Sequence, residues 1–480
     1  MTSPPASPVG HGPGGPAPAK TRPGSARRLG PALAVLATAQ FLVVLTTSIV
    51  NVALPALGTG LGLSTVGLSW TVNAYVLAFG ALLLPGGRLG DLLGRRTIFL
   101  VGTAVFIAGS AVAGLAGGPA VLLAARVVQG VGAGLLAPTA LGLVLALFPP
   151  GAGRARAMAV WGAVSGTGGA AGVLFGGLLT EAAGWRWVFL AGIPIALGVL
   201  ACALWLVPPD TPAGGRIDLP GAVAVTAGLA LATYGLSGAA RDGWAAATVL
   251  GPLLGGGILL ALFAFWQTRA ESPLVRPAVL RMGGVASANA LMTLVGGVWI
   301  GLFFFLPLYQ QKVLGYSPVK AGLTQLPLAL AMTGASWLTP RAARRLGSRT
   351  ALALSLALAA GGLLWLSRTP SGGSAVLDLA LPSLPIGIGL GAVFVLLTNL
   401  SAAGVPPADA GLAGGLINTT RQIGGALGLA LLTAVAAPPR THASPGALAH
   451  DYGAALRVAA AIAALAALLS LFVRKEAREP

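Results

Sequence analysis

Charge is scarce in this 480-residue sequence: 8% of its residues are Asp, Glu, Lys or Arg, against roughly 25% in a soluble domain. That shortage excludes an ordinary soluble enzyme. Acids are scarcer than bases, 11 against 29, for a formal net charge of +18. A nucleic-acid partner would need the bases gathered into a dense stripe, and they are spread thinly along the chain, so none is expected. One cysteine, Cys202, permits no intramolecular disulfide and no cysteine-rich metal site. The 3 histidines, His11, His442 and His450, stand in polar or Pro/Gly-rich stretches, so no metal and no cofactor is expected.

What the sequence has is apolar length: 56% hydrophobic residues and a mean hydropathy of +0.87. A bilayer core about 30 Å thick needs roughly 20 apolar residues per helix. Fourteen such runs recur, near 32–54, 69–87, 98–117, 119–148, 157–180, 186–207, 218–237, 246–266, 285–309, 319–339, 350–367, 375–402, 410–437 and 453–473. Long continuous runs indicate helices, because the strands of a membrane barrel alternate over about ten residues. The 72 glycines would weaken soluble helices, but in lipid small residues let helix backbones approach closely.

Basic residues orient the chain. With the amino terminus inside, 20 fall in cytoplasmic segments (Lys20, Arg22, Arg27, Arg28, Arg88, Arg95, Arg96, Arg154, Arg156, Arg216, Arg269, Arg276, Arg281, Arg341, Arg344, Arg345, Arg349, Arg474, Lys475 and Arg478) and 7 on the opposite side (Arg186, Arg241, Lys312, Lys320, Arg368, Arg440 and Arg457). Both termini are therefore expected in the cytoplasm. The first thirty residues, rich in Pro, Gly and Ser, read as a disordered tail, and the apolar run after them is too long for a signal-peptide core.

The sequence also repeats. A shift of 253 positions lays Leu61, Gly62, Ser64 and Val66 on Leu314, Gly315, Ser317 and Val319, and further on lays Gly94 on Gly347 and Arg96 on Arg349. Two matches at one offset, in corresponding loops, indicate a duplicated helical bundle. Duplicated bundles with a site between them are a common transporter plan. The seventh and eighth runs fall between the halves and read as an inserted hairpin.

Two motifs carry polar chemistry. The loop after the second run is Gly87-Arg-Leu-Gly-Asp91-Leu-Leu-Gly94-Arg95-Arg96, in which the glycines allow a tight turn against a neighbouring helix and Asp91 can pair with a local arginine. The fourth run holds Arg126-Val-Val-Gln129-Gly130-Val-Gly132-Ala-Gly134. Arg126 and Gln129 lie three apart and share a helix face, and an ionisable residue inside the membrane is expensive and by default functional. These strings resemble the G-x-L-x-D-x-x-G-R-R and R-x-x-Q-G-x-G signatures of the major facilitator superfamily; the second-half copy of the loop keeps Gly347 and Arg349 and has Arg344 opposite Asp91. TTSIVNVALP (46–55), SWTVNAYVLAFG (69–80), WRWVFLAGIP (185–194), LPLYQQKVLGYSPVKAGLTQLP (306–327) and GGLINTTRQIGGALGLA (414–430) resemble its fourteen-helix drug:proton antiporter branch.

The resemblance implies an all-α membrane protein of two six-helix bundles plus the hairpin, arranged as tail 1–30, bundle 31–207, linker and hairpin 208–284, bundle 285–473 and tail 474–480. It implies export of small amphipathic drugs, dyes or natural-product antibiotics from a bacterial cell by alternating access, with Arg126 on a central cavity. The expected setting is the inner (plasma) membrane; the expected partners are a small-molecule substrate, the lipid bilayer and protons, and the expected state a monomer. Its helix-five glycine motif falls on Gly168, Gly172, Gly176 and Gly177, with Val173 where the branch has proline, and Gly192 replaces an asparagine after Trp185-Arg186-Trp187.

The deepest departure is at Thr46, where the branch has an acid in helix one. None of the eleven acids is predicted near a helix midpoint, so proton coupling is expected to be weak or to run through an acid near a helix end, with Asp378 the deepest candidate and Asp91 the second. A site without a central carboxylate is expected to prefer neutral or anionic substrates to dications. The polar residues expected along the pathway are Gln40, Thr47, Asn51, Asn73, Tyr75, Arg126, Gln129, Gln310, Asn399, Asn418, Arg421 and Gln422, each with the plain alternative of an interhelical hydrogen bond. A uniporter or importer of the same fold remains open. A membrane-embedded enzyme is disfavoured, because no Ser/His/Asp grouping, metal set or phosphate loop is visible.

Overall fold

The computed structural model of the chain describes residues 26–149, 151–210, 212, 216–406, 410–436 and 444–473. Most of the expected amino-terminal tail, the whole carboxy-terminal tail, and the acids Asp409, Glu476 and Glu479 lie outside the described residues. So do His11, His442 and Arg440.

The described chain forms fourteen long helices: α1 Ala26–Leu61, α2 Thr65–Leu93, α3 Arg95–Gly114, α4 Pro119–Leu147, α5 Ala152–Ala183, α6 Trp187–Leu206, α7 Leu219–Asp242, α8 Ala247–Gln267, α9 Val285–Val313, α10 Pro318–Thr324 continued as Leu326–Leu346, α11 Ser348–Leu366, α12 Ala375–Ala402, α13 Ala410–Val435 and α14 Pro445–Ser470. Twelve are long and apolar enough to cross a membrane. The other two, α10 and α13, carry Arg341, Arg344 and Arg345, and Asn418, Arg421 and Gln422. Helices overshoot the apolar runs because intrahelical hydrogen bonding continues past the hydrocarbon boundary: α1 starts at Ala26 rather than 32, and α10 continues to Leu346 rather than 339.

The duplication seen in the sequence is a duplication of backbone devices. Gly62 and Gly315 have φ of +65° and +66°, and Gly94 and Gly347 have φ of +95° and +80°. An L side chain rarely adopts such values. Two residues after the first pair, Ser64 and Ser317 cap α2 and α10, accepting from the N–H groups of Gly67 and Lys320 at 3.2 and 3.4 Å. The residues that match at offset 253 therefore include those that turn the chain and start the next helix.

Packing repeats as well. In the first half α1 packs on α5 and α6, α4 on α2 and α3, and α3 on α6; in the second, α9 packs on α13 and α14, α12 on α10 and α11, and α11 on α14. Every pair in one set has its counterpart eight helices later. The sets meet through α2 with α13, α5 with α10, and α1 with α9, contacts that exchange among themselves when the halves are exchanged. The α7–α8 hairpin leans by α7 on α2 and α13. At its base the Asp218 carboxylate accepts from Trp266 Nε1 and Gln267 Nε2 at 2.8 and 2.6 Å, tying α7 to α8.

Candidate functional site

Arg126, 1% exposed, lies in α4. Its Nε donates to the Thr71 carbonyl at 2.9 Å and its Nη1 to Gln129 Oε1, while Gln129 Nε2 donates to Ser110 Oγ at 2.7 Å. The guanidinium lies 4.3 Å from the centroid of the Tyr75 ring and 5.9 Å from that of Phe189. The glycines of its motif let the neighbours approach: a Cβ at Gly130 would stand 2.6 Å from the Tyr75 carbonyl oxygen on α2, and one at Gly132 would stand 2.4 Å from Phe106 N on α3. Arg126, Gln129 and Tyr75 thus form one buried cluster in the first half. On the same helix as Tyr75, Asn73 is fully buried, and neither its side-chain N nor its O finds a hydrogen-bond partner among the described residues.

Arg421 lies near the middle of α13 and is held differently. Its Nη2 donates to Asn418 Oδ1 at 2.7 Å, its Cζ is 5.4 Å from the Phe394 ring centroid, and its buried Nε has no partner among the described residues. The faces of α13 fix where this side chain looks. Gly415 and Gln422 meet Leu84 and Gly80 of α2; Gly424 and Gly428 meet Thr293 and Gly297 of α9. Leu416 joins Val275, Val279 and Val285 below the hairpin. The face opposite Leu416 carries Gly414, Asn418, Arg421 and Gly425 at spacings of four, three and four, and of these Gly425 packs against Ile300 of α9 and the Arg421 backbone against Gly296. Gly414 is exposed, with nothing within 4 Å of the position of a Cβ.

On the α5–α10 side the halves close at the Gly62 end. A Cβ at Gly177 of α5 would stand 2.4 Å from the Pro318 carbonyl oxygen, and one at Gly322 of α10 would stand 2.8 Å from that of Val173. Val319 N donates to Glu181 Oε2 at 3.0 Å, and Gln311 Nε2 to the Val52 carbonyl at 2.8 Å. Following the same stripe of α5 toward the Gly94 end gives Gly166 and Gly162, both exposed and both with open space at the Cβ position. One face of α5 is therefore sealed on α10 at one end and free at the other.

The other glycines of helix five lie against α1: Cβ atoms at Gly168, Gly172 and Gly176 would come within 3.2, 2.6 and 2.7 Å of Phe41, Ser48 and Ile49. In the loop after α2, Asp91 pairs with Arg95, Nη2 to Oδ1 at 2.8 Å, and Arg95 Nη1 reaches the Gly142 carbonyl on α4 at 3.1 Å. Gly87 packs against Pro138 of α4, and Gly94 makes the turn into α3. Arg96 Nη2 donates to the Leu204 carbonyl at 2.6 Å. Asp210, which the sequence did not single out, accepts from the backbone N–H groups of Arg95 and Arg96 at 2.6 and 3.1 Å, capping α3 where Gly94 supplies no side chain. An acid after the sixth run was the available signal.

Of the remaining expected residues, Thr47 lies beside the Tyr75 hydroxyl of the Arg126 cluster, and the others are dispersed. Gln40 donates to Ser165 of α5 at 3.4 Å, Thr47 to the carbonyl of Val43 within its own helix at 3.0 Å, and Asn51 is buried on α1. Gln310 pins the break in α10, donating to Thr324 Oγ1 at 3.0 Å and accepting from Gln325 Nε2 at 2.9 Å. Asn399 is exposed on α12. Asp378 sits in the first turn of α12, its Oδ2 accepting from Ser374 N at 2.7 Å, and it meets none of the other expected pathway residues in these hydrogen bonds. Among the described residues no group of three or more His, Cys, Asp or Glu side chains could hold a metal.

Two sets of six helices with matching pairings, joined through three exchanged contacts and bearing arginines within α4 and α13, define a membrane transporter of the two-bundle kind. The chain belongs to the Major Facilitator Superfamily, whose sequence profile matches residues 36–429. It is 44% identical to a cephamycin export protein of Amycolatopsis lactamdurans over 88% of each chain. It is 40% identical to a puromycin resistance protein of Streptomyces alboniger over 84% of this chain and 81% of the relative. A crystal structure of an auto-inhibited peptide transporter of the POT family superposes with a TM-score of 0.68 at 15% identity, covering 94% of this chain and 99% of that one; this likeness concerns the fold alone.

Proposed function

We propose that the chain exports small amphipathic molecules, natural-product antibiotics foremost, by alternating access, and that the structure is the state open to the cytoplasm. The observation that carries this is the α5 stripe, sealed against α10 at Gly177 and Val173 and free at Gly166 and Gly162. The arginine distribution puts the free end, with Arg95, Arg96 and Arg154, in the cytoplasm, where an exporter loads. Relatives named for antibiotic export and resistance supply the substrate class. In this reading residues 31–207, extended back to Ala26, and 285–473 are the rocking bodies, working as a monomer in the plasma membrane with both termini inside.

Protons are the proposed driving ion. Since all described acids stand at or near helix ends or in loops, coupling would run through Asp378 or Asp91. The same observation keeps a uniporter or importer as the second reading. The test is accumulation of a panel of dyes and antibiotics in cells with and without the protein, with the pH gradient and the membrane potential collapsed separately. Export predicts lower accumulation that returns to the control level when the pH gradient is removed; a uniporter predicts equilibration insensitive to either.

A further inference from the structure

Arg126 of α4 and Arg421 of α13 differ in what they leave unsatisfied. Arg126 is sealed beneath Tyr75 and Phe189, with Thr71 and Gln129 as acceptors. Arg421 has one side-chain acceptor, Asn418, a buried Nε with none, and no ion pair among the described residues. A guanidinium cannot shed its proton to escape this, and an arginine within a membrane normally pairs with something. Its face of α13 points away from the hairpin, is open at Gly414 and is covered by Ile300 of α9 at Gly425. Beside it the Phe394 ring, 37% exposed, stands 6.3 Å from that of Trp299, so the free donors sit next to an aromatic shelf.

We infer that Arg421, with Asn418 and the Phe394 ring, forms an anion-binding subsite in the second half, on the face of α13 that opens at Gly414, and that the preferred cargo bears a carboxylate beside an apolar ring. This rests on the transport reading above. A carboxylate accepts two guanidinium N–H bonds side by side, the geometry a single arginine offers best. One fixed positive charge balances one negative charge, which favours a monoanion over a phosphate dianion, and the neighbouring rings receive the apolar body. Arg126 takes no part, because its Nε and Nη1 already have acceptors and the residue is buried beneath Tyr75 and Phe189.

The experiment measures binding of two fluorescent probes of one shape, pyrenebutyrate and pyrenylbutyl-trimethylammonium, to the purified full chain in zwitterionic detergent, read by quenching of tryptophan fluorescence. The wild type should bind the carboxylate more tightly. Arg421→Gln should weaken the carboxylate by about tenfold or more, the loss of one charge-assisted pair, and leave the ammonium probe no weaker, which also shows that the variant is folded. Arg421→Lys, which keeps the charge, should retain part of the preference. A wild type without preference for the carboxylate, or variants that lose both probes together, would overturn the subsite. Displacement of pyrenebutyrate by phosphatidylglycerol in the wild type would assign the site to a lipid headgroup and overturn it as a cargo site. Carboxylate binding that depends on Arg421 in a protein that lowers no accumulation in cells would sink the export reading and leave the subsite standing.

Discussion

Arg126 and Arg421 carry the same charge inside the same kind of helix, and their surroundings give them different work. Removing Arg126 would orphan Gln129 Oε1 and open a void under the Tyr75 ring. Each buried acceptor left without a donor costs about 1–3 kcal/mol. Arg126→Ala is therefore expected to lower the melting temperature of the detergent-solubilised protein by several degrees, and Arg126→Lys to do so too, since one ammonium group cannot place the same two donors on the Thr71 carbonyl and Gln129. An unchanged melting temperature in both would show that the cluster is not a structural anchor of the first half. The sequence made the pair Arg126 and Gln129 visible by spacing alone. It could not distinguish a sealed arginine from an open one, because that depends on Tyr75, Phe189 and Phe394, residues 51, 63 and 27 positions away.

At the scale of helices, the positions that decide geometry are glycines and one acid. A Cβ at Gly177 would enter the space of the Pro318 carbonyl, so Gly177→Val should push α5 from α10 at the sealed end and favour the alternate state. With Cys202 replaced by Ser, a cysteine at Gly166 is expected to react with a polar thiol reagent from the cytoplasm, and adding Gly177→Val should slow that reaction; an equal or faster rate would contradict the gate. Asp210 works at the other end. Its carboxylate supplies the cap that Gly94 cannot, and Asp210→Ala should cost about 1 kcal/mol, read as a lower melting temperature rescued by Asp210→Asn. The fourteen helices were legible in apolar run length, and the turns between α1 and α2 and between α2 and α3 in their glycines. Asp210 was not legible, because a cap supplied 115 residues away leaves no periodicity behind.

Across the whole molecule, the helix pairings of one half recur in the other, and in the proposed alternating-access cycle the shift between two states would be driven by differential binding of cargo and of a coupled ion. Substrate-driven proton flux in proteoliposomes with an imposed pH gradient should be weak, given Thr46 in helix one, and should fall further in Asp378→Asn or Asp91→Asn. Flux that survives both substitutions would end the assignment of coupling to an acid at a helix end. Loss in Asp91→Asn alone would point to the Asp91–Arg95 pair acting on the rocking of the first half. The α7–α8 hairpin lies outside the exchanged contacts and touches both α2 and α13, a position from which it braces the seam.

Run length, loop charge and the 253-residue offset by themselves determined that this is a duplicated helical membrane protein, because partition into lipid and positive-φ turns act on local sequence. Which end is sealed, which arginine is satisfied and which face of α13 is open were decided only by the tertiary structure. Those properties belong to pairs of helices far apart in the chain, and a hydrogen bond or a backbone contact between them leaves no mark on the residues that flank it.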